Sequence, residues 1–225
     1  MTHVVRYGLL GSGMMGQEHL RNLALINGAE VVALVEPDAQ MRARSLELVP
    51  DADCYDTLDQ LLESNTELDA LVITTPNYQH ADQLLQLLKR TTLPILVEKP
   101  IVTSLEQAVA VHEAAAKHPA PVWVAMEYRY MPPVARFREQ ISAGDLGDLK
   151  MLAIREHRFP FLEKVQDWNR FNHKTGGTLV EKCCHFFDLM RLIVGDEAIR
   201  VYASTGQDAN HLDETYDGKT PDIID

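Results

Sequence analysis

A glycine-rich segment near the N-terminus has the spacing of a dinucleotide-binding loop. Residues 11–16 read GSGMMG, which is the pattern G-x-G-x-x-G, and they lie between an apolar run at 4–10 and apolar positions at helical spacing. In that context the glycines let the backbone approach a pyrophosphate, which binds at the positive N-terminus of the following helix. We therefore predict that the segment binds a dinucleotide through Gly11, Gly13, Met14, Met15 and Gly16.

An acidic residue stands at the next position that such a site requires. Glu36 directly follows a β-branched run at 31–35. A carboxylate there accepts hydrogen bonds from the ribose hydroxyls of NAD and repels the 2′-phosphate of NADP. We therefore predict NAD as the cofactor. NADP stays open, because Arg42 and Arg44 lie shortly downstream and could reach a phosphate, although both could also be solvated helix residues.

Polar groups follow each of the later predicted strands. They are Thr75, Pro76, Asn77 and His80, then Glu98 and Lys99, and finally Glu127, Tyr128 and Arg129. In open parallel sheets, ligands bind beyond the carboxyl ends of the strands. The general polarity of loops explains Glu127 well, but it explains Lys99 poorly, because Lys99 lies between a buried strand and a proline. His80 could contact a ligand or be an exposed histidine at a helix start.

A second group of chemically active side chains lies on one predicted helix, at residues 177–194. Glu181, His185 and Asp188 are spaced i, i+4 and i+7, so they share a face of an otherwise apolar helix. An acid beside a histidine can orient the imidazole, which exchanges a proton near neutral pH. The same stripe could be the solvated face of an amphipathic helix, and this helix alone favours neither interpretation.

Metal binding and covalent hydrolysis are not favoured by the sequence. Cys183, Cys184 and His185 are adjacent, and adjacent helical residues point about 100° apart, so they do not converge on one ion. The sequence contains no C-x-x-C, H-E-x-x-H, G-x-S-x-G or P-loop pattern. We predict that no metal is bound and that the cysteines pack as small apolar residues.

The elements that position these residues alternate regularly up to residue 125. Strands are predicted at 4–10, 31–35, 71–75, 95–97 and 122–125, and helices at 14–26, 38–48, 80–90 and 103–117. We expect Asp38 to cap the second helix, and a capping box at residues 103–106 to start the fourth. Apolar strands that alternate with helices indicate a parallel sheet covered on both faces. Residues 1–125 are therefore predicted to form a doubly wound α/β Rossmann domain that binds NAD(P).

The pattern changes after residue 125. We predict a helix at 134–143, a weak strand at 150–156, a polar and aromatic loop at 158–175, a strand at 199–203 and an acidic tail at 204–225 without a recognisable element. Residues 126–225 are assigned to a partial α+β domain that binds substrate.

Composition excludes several classes of protein. The 225 residues are 46% hydrophobic and 24% charged, unlike a disordered chain. No apolar run reaches the ~18 residues of a membrane helix, and we expect no signal segment, because the first residues lack a cationic stretch followed by an apolar one. The net charge of −12 argues against nucleic acid or an anionic membrane as a partner. Three cysteines without a disulfide framework indicate a reducing compartment, so we predict a cytoplasmic protein.

Four segments together resemble the Gfo/Idh/MocA oxidoreductases, the family of glucose–fructose oxidoreductase and the inositol dehydrogenases. They are residues 11–16, 75–80, 98–100 (EKP) and 176–185. The resemblance extends over residues 4–203. It implies an N-terminal NAD(P)-binding domain, a C-terminal domain built on a large, mostly antiparallel sheet, and sugars, cyclitols or related polyols as substrates.

The resemblance also implies roles for individual residues. Lys99 corresponds to the catalytic lysine at the reacting hydroxyl, and His185 to the histidine that accepts and donates the proton. Glu181 stands at the acidic substrate-binding position, which is usually Asp in the family, and Cys183 stands where many members have Gly. Arg129 lies in the segment that borders the substrate pocket, and we expect Trp168 to contact substrate as well. Among the residues that follow the later strands, we expect the cofactor to be bound by Thr75, Pro76, Asn77, His80, Glu98 and Lys99.

We therefore predict an NAD-dependent dehydrogenase for a polyol, with no nucleic acid or membrane partner. Two alternatives remain. The chain could be another reductase of the superfamily, acting on a dihydrodiol or an imine, or a cofactor-binding remnant without catalysis. The second has a physical motive, because a large sheet needs several strands after residue 194 and only 199–203 is visible. We expect a C-terminally incomplete chain with low solubility or dependence on a partner chain, and a homo-oligomer for an intact protein.

Overall fold

The structure is a computed structural model that describes residues 4–157 and 160–224. Residues 1–3, 158–159 and 225, which the predicted domains, loop and tail include, lie outside the described residues. The chain divides into two compact units, of which the first ends at Ala125 and the second begins at Met126. Each unit is described by itself below.

A six-stranded parallel sheet forms the centre of the N-terminal unit. The strands are β1 (Val5–Leu10), β2 (Ala29–Val35), β3 (Asp53–Tyr55), β4 (Ala70–Ile73), β5 (Ile95–Val97) and β6 (Val122–Val124). Their order in the sheet is β3-β2-β1-β4-β5-β6, so the strand order reverses between β1 and β4. The predicted doubly wound α/β domain is confirmed, with one additional short strand, β3, that the sequence did not indicate.

Apolar side chains on both faces of the sheet are buried. Neighbouring residues of β1 point to opposite faces, and accordingly Leu10 and Leu9 belong to two separate core clusters. Leu10 packs with apolar residues that include Leu84, whereas Leu9 packs with a group that includes Leu20. Burial on both faces explains why these strands read as continuous apolar runs.

Five helices cover this sheet. They are α1 (Met14–Leu23), α2 (Ala39–Leu46), α3 (Leu58–Glu63), α4 (Asn77–Arg90) and α5 (Leu105–Ala115). Asp38 caps α2 as expected, because its carboxylate accepts from the N–H groups of Gln40 and Met41. The cap of α5 was predicted one residue too early, since Ser104 accepts from the N–H of Gln107 at 3.2 Å. Helix α3, with a capping box of its own, was not predicted.

The C-terminal unit is helical in its described part. It contains α6 (Pro132–Ser142), α7 (Asn172–Thr175), α8 (Thr178–Glu181) and α9 (Cys184–Val194), together with 3₁₀ turns at Glu127–Tyr130 and Val165–Arg170. The single helix predicted at 177–194 was wrong, because it is interrupted between Glu181 and Cys184. The loop predicted at 158–175 was also partly wrong, since it contains α7 and one of the 3₁₀ turns.

The two strands predicted in this unit, at 150–156 and 199–203, do not form. A strand obtains its hydrogen bonds from a neighbouring strand, and among the described residues of this unit no strand is available to pair with either segment. Ile199 and Tyr202 are accordingly almost fully exposed. Both segments have residue types that are typical of strands, but the prediction of strands was wrong because no pairing strand lies beside them in the described part of this unit.

The acidic tail is held by side-chain contacts rather than by a helix or strand. Ile223 is buried, the N–H of Asn172 donates to Asp222 Oδ1 at 2.6 Å, and Thr178 Oγ1 donates to the carbonyl of Ile224 at 2.8 Å. The expectation that the tail has no regular element is correct for its described residues apart from an isolated bridge. The tail is nevertheless anchored to α7 and α8.

The ionisation of Glu214 in this tail predicts how the free energy of unfolding depends on pH in acid. Burial favours a higher pKa, but hydrogen bonds from His211, Tyr216 and Arg170 outweigh it and lower the pKa of Glu214 to about 2 from an ordinary 4.5. Because the pKa of Glu214 is lower in the folded state, its ionised form stabilises the fold fully at pH values above 4.5. This stabilisation is lost as the pH falls from 4.5 toward 2. We expect Glu214→Gln to flatten that part of the pH dependence of the unfolding free energy, measured by urea titration.

The exposed residue Glu163 supplies the control for this prediction. Glu163→Gln removes a carboxylate from the same unit without touching the Glu214 contacts, so it should leave the acid limb unchanged. Equal effects of the two substitutions would contradict the assignment to Glu214.

In the part of the chain that the structure describes, no helix is long and apolar enough to cross a membrane.

Candidate active site

The glycine-rich loop connects β1 to α1 and requires glycine at two of its positions. Gly11 has φ +82°, and a Cβ there would lie 2.7 Å from the Thr75 backbone. A Cβ on Gly16 would lie 2.3 Å from the carbonyl oxygen of Gly11, so glycine allows the close packing of helix on strand. At Gly13, by contrast, a Cβ would meet nothing within 4 Å. Gly13 therefore faces open space.

This open space lies at the N-terminus of α1, where Gly13 is the capping residue. Glycine has no side chain that could satisfy the first N–H groups of the helix, which carry its positive dipole end. Met14 and Met15, the first two helical residues, are partly exposed. The arrangement fits the pyrophosphate of a dinucleotide.

Glu36 both organises this loop and presents an acceptor. Its Oε2 accepts from the N–H of Ser12 at 2.6 Å, and its Oε1 accepts from the N–H of Asp38 at 2.9 Å. The carboxylate retains acceptor capacity for a ribose hydroxyl, because it has about four lone-pair positions. Arg42 donates to the carbonyl of Glu36 at 3.0 Å and pairs with Asp56. These contacts occupy one of the two arginines that could have bound a 2′-phosphate.

The loop after β4 contains a buried amide. Asn77 begins α4 and is 6% exposed, and its Nδ2 makes no hydrogen bond to any described residue. An unsatisfied buried donor costs about 1–3 kcal/mol, so a ligand that supplies an acceptor there would be bound favourably. Thr75, which lies in the loop two residues after β4 ends, donates through Oγ1 to Gln83 at 2.7 Å.

His80 is not the exposed helix-start histidine that was one of its two interpretations. It is 1% exposed, and its Nδ1 and Nε2 lie 2.8 and 2.7 Å from the carbonyl oxygens of Pro100 and Thr75. The ring therefore connects the two loops that follow β4 and β5. Burial lowers the pKa of His80, against the opposing effect of the two carbonyls.

The segment after β5 carries Lys99. Glu98 is buried, Lys99 is half-buried, and the Lys99–Pro100 peptide bond is cis. The backbone N–H of Glu98 donates to the carbonyl of Ile73 at 2.8 Å, which continues the sheet contact beyond the strand ends. The Glu98 carboxylate contacts His19 of α1, a residue that the sequence analysis did not identify. The only indication of His19 in the sequence was its position directly before Leu20, a residue of α1 that is buried.

In the C-terminal unit, His185 lies at the start of α9 and is buried. It is 1% exposed, Glu181 is 8% exposed, and the Asp188 side chain is 13% exposed, so the solvated-stripe interpretation was wrong. The His185 ring stacks on Tyr128 with a centroid distance of 4.2 Å, and its Nε2 lies 3.4 Å from Glu127 Oε1. A buried imidazole beside a carboxylate is suited to proton exchange.

Two cations contact residues near this histidine, one pairing with Asp188 of the same helix and the other bonding to Tyr128, on which the histidine ring stacks. Arg129 donates from Nε to Asp188 Oδ2 at 2.6 Å and also pairs through Nη2, and this hydrogen bonding raises the pKa of Arg129. Lys182, which the sequence analysis missed, is buried and bonds to the Tyr128 hydroxyl, with Nζ 3.4 Å from Glu156. A lysine within a predicted apolar helix was the signal that could have identified it.

The remaining predicted groups are placed as follows. Trp168 is half-buried in the 3₁₀ turn Val165–Arg170, next to the buried Asn169. Cys183 and Cys184 are half-buried, and burial raises the pKa of the Cys183 thiol. Within residues 4–157 and 160–224, no group of three or more His, Cys, Asp or Glu side chains is arranged to hold a metal ion.

Two family models match the chain. Residues 5–126 match the model described as an oxidoreductase family with an NAD-binding Rossmann fold, and residues 138–222 match the C-terminal alpha/beta domain of the same family. The chain belongs to the Gfo/Idh/MocA oxidoreductase family. Its N-terminal unit thus has the NAD-binding Rossmann fold, as the glycine-rich loop and Glu36 had indicated.

Several members of the Gfo/Idh/MocA family are similar over most of this chain. The rhizopine catabolism protein MocA of Rhizobium meliloti is 30% identical over 203 residues, which are 90% of this chain and 61% of that protein. The inositol 2-dehydrogenase of Arthrobacter sp. (strain FB24) is 31% identical over 210 residues, 92% of this chain and 59% of that protein. The chain thus spans about three fifths of the length of these curated relatives.

Solved structures of dehydrogenases have a fold similar to that of this chain. A Sinorhizobium meliloti 1021 protein provisionally assigned as a myo-inositol dehydrogenase has a TM-score of 0.74 at 26% identity, over 86% of this chain and 56% of that one. The WlbA dehydrogenase of Bordetella pertussis, solved with NADH and UDP-GlcNAcA, has a TM-score of 0.70 at 20% identity, over 86% of this chain and 56% of that one. The second likeness concerns the fold alone.

Proposed function

We propose that the protein is an NAD-dependent dehydrogenase that transfers a hydride between nicotinamide and a secondary alcohol or carbonyl of a sugar, cyclitol or related polyol. The observation that carries the proposal is the position of Lys99, which follows β5 at the same edge of the sheet as the open loop at Gly13. A cation there is placed to act on a group that reacts beside a bound dinucleotide. The similarity to inositol 2-dehydrogenases supports the substrate class.

The residues are assigned complementary roles. Bound NAD would supply the hydride acceptor. Lys99 stabilises the negative charge that develops on the substrate oxygen, and His185 accepts the hydroxyl proton. Tyr128 holds the His185 ring by stacking, and Glu181 binds a substrate hydroxyl. Reduction of a carbonyl reverses these steps.

The cofactor is assigned to the N-terminal unit and the substrate to the C-terminal one, residues 1–125 and 126–225. We propose that Gly11, Gly13, Met14, Met15, Gly16, Glu36, Thr75, Pro76 and Asn77 line the cofactor site. His80 and Glu98 position the loops of this site, because both side chains form hydrogen bonds within the protein, His80 to two backbone carbonyls and Glu98 to His19. Trp168 is assigned to substrate contact. Arg129 stabilises the substrate-binding part of the C-terminal unit through its ion pair with Asp188.

A substrate panel tests the proposal. We expect NADH absorbance to increase when the protein is mixed with NAD and a cyclitol or sugar, with NAD preferred over NADP because of Glu36. Turnover of a dihydrodiol or an imine in place of polyols would identify a different reductase of the family. Calorimetric binding of NADH without turnover of any of these compounds would identify a cofactor-binding protein without catalysis.

That last alternative is favoured by one observation, namely that the two apolar segments at 150–156 and 199–203 form no strand in the described part of the C-terminal unit. Homo-oligomer formation and a cytoplasmic location stay predictions.

A further inference from the structure

The Glu98 carboxylate connects Lys99 to the helix that begins at the glycine-rich loop. Its Oε1 lies 2.7 Å from Nε2 of His19 on α1, and its Oε2 accepts from the backbone N–H of Lys99 at 3.2 Å. We propose that His19 is a positioning residue for Lys99 and acts through Glu98. The inference rests on the proposed function, since it assumes that Lys99 acts on the reacting hydroxyl.

The contact between His19 and Glu98 has the properties of a strong orienting interaction. A carboxylate only accepts hydrogen bonds, so Nε2–H of His19 is the donor. The His19 side chain is 21% exposed and that of Glu98 is 8% exposed, so little water competes with it. Hydrogen bonds to an ionised group are about twice as strong as those between neutral groups. His19 therefore selects one rotamer of Glu98.

The backbone around Lys99 is held independently of His19. The N–H of Glu98 donates to the carbonyl of Ile73, and the carbonyl of Pro100 is bound by His80. Loss of His19 should consequently leave the segment folded while it frees the Glu98 side chain. The contact that is lost is the hydrogen bond from the backbone N–H of Lys99 to Glu98 Oε2, and with it one restraint on the orientation of Lys99.

This geometry also gives Lys99 and the cofactor a common support. Helix α1 starts at Gly13, where the pyrophosphate is proposed to bind, and it carries His19 one turn after Gly16. In addition to the backbone contacts of Glu98 and Pro100, the contact between His19 and Glu98 thus links Lys99 to the helix that begins at the proposed pyrophosphate site. Small displacements of reacting groups are costly, and about 1 Å can reduce a rate a hundredfold.

Kinetics of His19→Ala and His19→Gln in the full chain provide the first test. We expect the alanine variant to lose about tenfold to a hundredfold in kcat, with KM for NAD and the Kd of NADH nearly unchanged. Glutamine can donate to Glu98 and should restore most of the rate. His112→Ala, which removes an exposed histidine from α5, is the matched control and should be silent.

A double-mutant cycle separates positioning from general stability. In a Lys99→Met background, His19→Ala should reduce the residual rate no further, because its target is absent. Equal losses in both backgrounds would overturn the proposal. So would equal losses in the alanine and glutamine variants, or a weakening of NADH binding as large as the loss in kcat.

A spectroscopic test needs no turnover. In protein with isotope-labelled lysine, the NMR signal of Lys99, assigned with Lys99→Arg, should move in His19→Ala and return toward its position in His19→Gln. An unmoved Lys99 signal would refute the role of His19. If the parent protein oxidises no polyol, the proposed function fails, whereas this measurement still decides the positioning role.

Discussion

Lys99→Met is expected to remove turnover while NADH binding persists. The ammonium group would stabilise an alkoxide through a preorganised charge in a partly desolvated site, and the loss of one such group costs about a hundredfold to a thousandfold in kcat. Methionine retains an unbranched apolar stem of similar length, so the half-buried position stays filled. The expected signature is therefore a fall in kcat with a melting temperature close to that of the parent.

The measurement combines NADH formation on the best substrate with calorimetric titration of NADH. Lys89→Met is the control, because Lys89 is exposed in the last turn of α4 and is not one of the proposed site residues. Full turnover of the Lys99 variant would exclude the lysine from the chemistry. Loss of NADH affinity without loss of kcat would make Lys99 a cofactor contact only.

Gly13→Ala is expected to weaken NADH binding without loss of stability, whereas Gly16→Ala is expected to destabilise the fold. At Gly13 the added Cβ meets no protein atom and φ is −65°, so alanine fits the free protein but projects toward the proposed pyrophosphate. We expect the affinity for NADH to fall at least about tenfold, with the free energy of unfolding within about 1 kcal/mol of the parent.

At Gly16 the added Cβ lies 2.3 Å from the carbonyl oxygen of Gly11, which is a backbone atom and cannot rotate away. Overpacking of this kind costs about 1–3 kcal/mol of folding free energy or more. The comparison uses urea unfolding for stability and fluorescence titration for NADH. Normal NADH affinity in Gly13→Ala would show that the open space at Gly13 is not where the cofactor binds.

The N-terminal unit could be predicted from the sequence because its signals are local. The glycine-rich loop, the apolar strands and the cap at Asp38 each lie within a few residues of the element that they define. The missed strand Asp53–Tyr55 and the missed helix Leu58–Glu63 are too short for a periodic pattern to appear. They exist because the edge of the sheet beside β2 stabilises them.

Interactions between distant parts of the sequence explain most of the remaining errors. The interruption at Lys182 was hidden by the apolar residues on both sides of it, and a buried lysine needs partners such as Tyr128 and Glu156, which lie far away in sequence. The burial of His80 likewise depends on the carbonyl of Pro100. Residue type alone cannot reveal such pairs, whereas the motif at 98–100 could be identified because its residues are consecutive.

The strand order has a consequence for folding during synthesis. Strands β1, β2 and β3 and helices α1 to α3 are complete once Glu63 has been made, and they form one half of the sheet with β1 at its inner edge. All strand pairings within this half, β1 with β2 and β2 with β3, join residues that are synthesised before β4. Until residues 70–73 are synthesised, the inner edge of β1 presents unpaired backbone groups. Pairing with β4 covers this edge of β1, and β4 then forms the exposed edge until residues 95–97 are synthesised and pair with it.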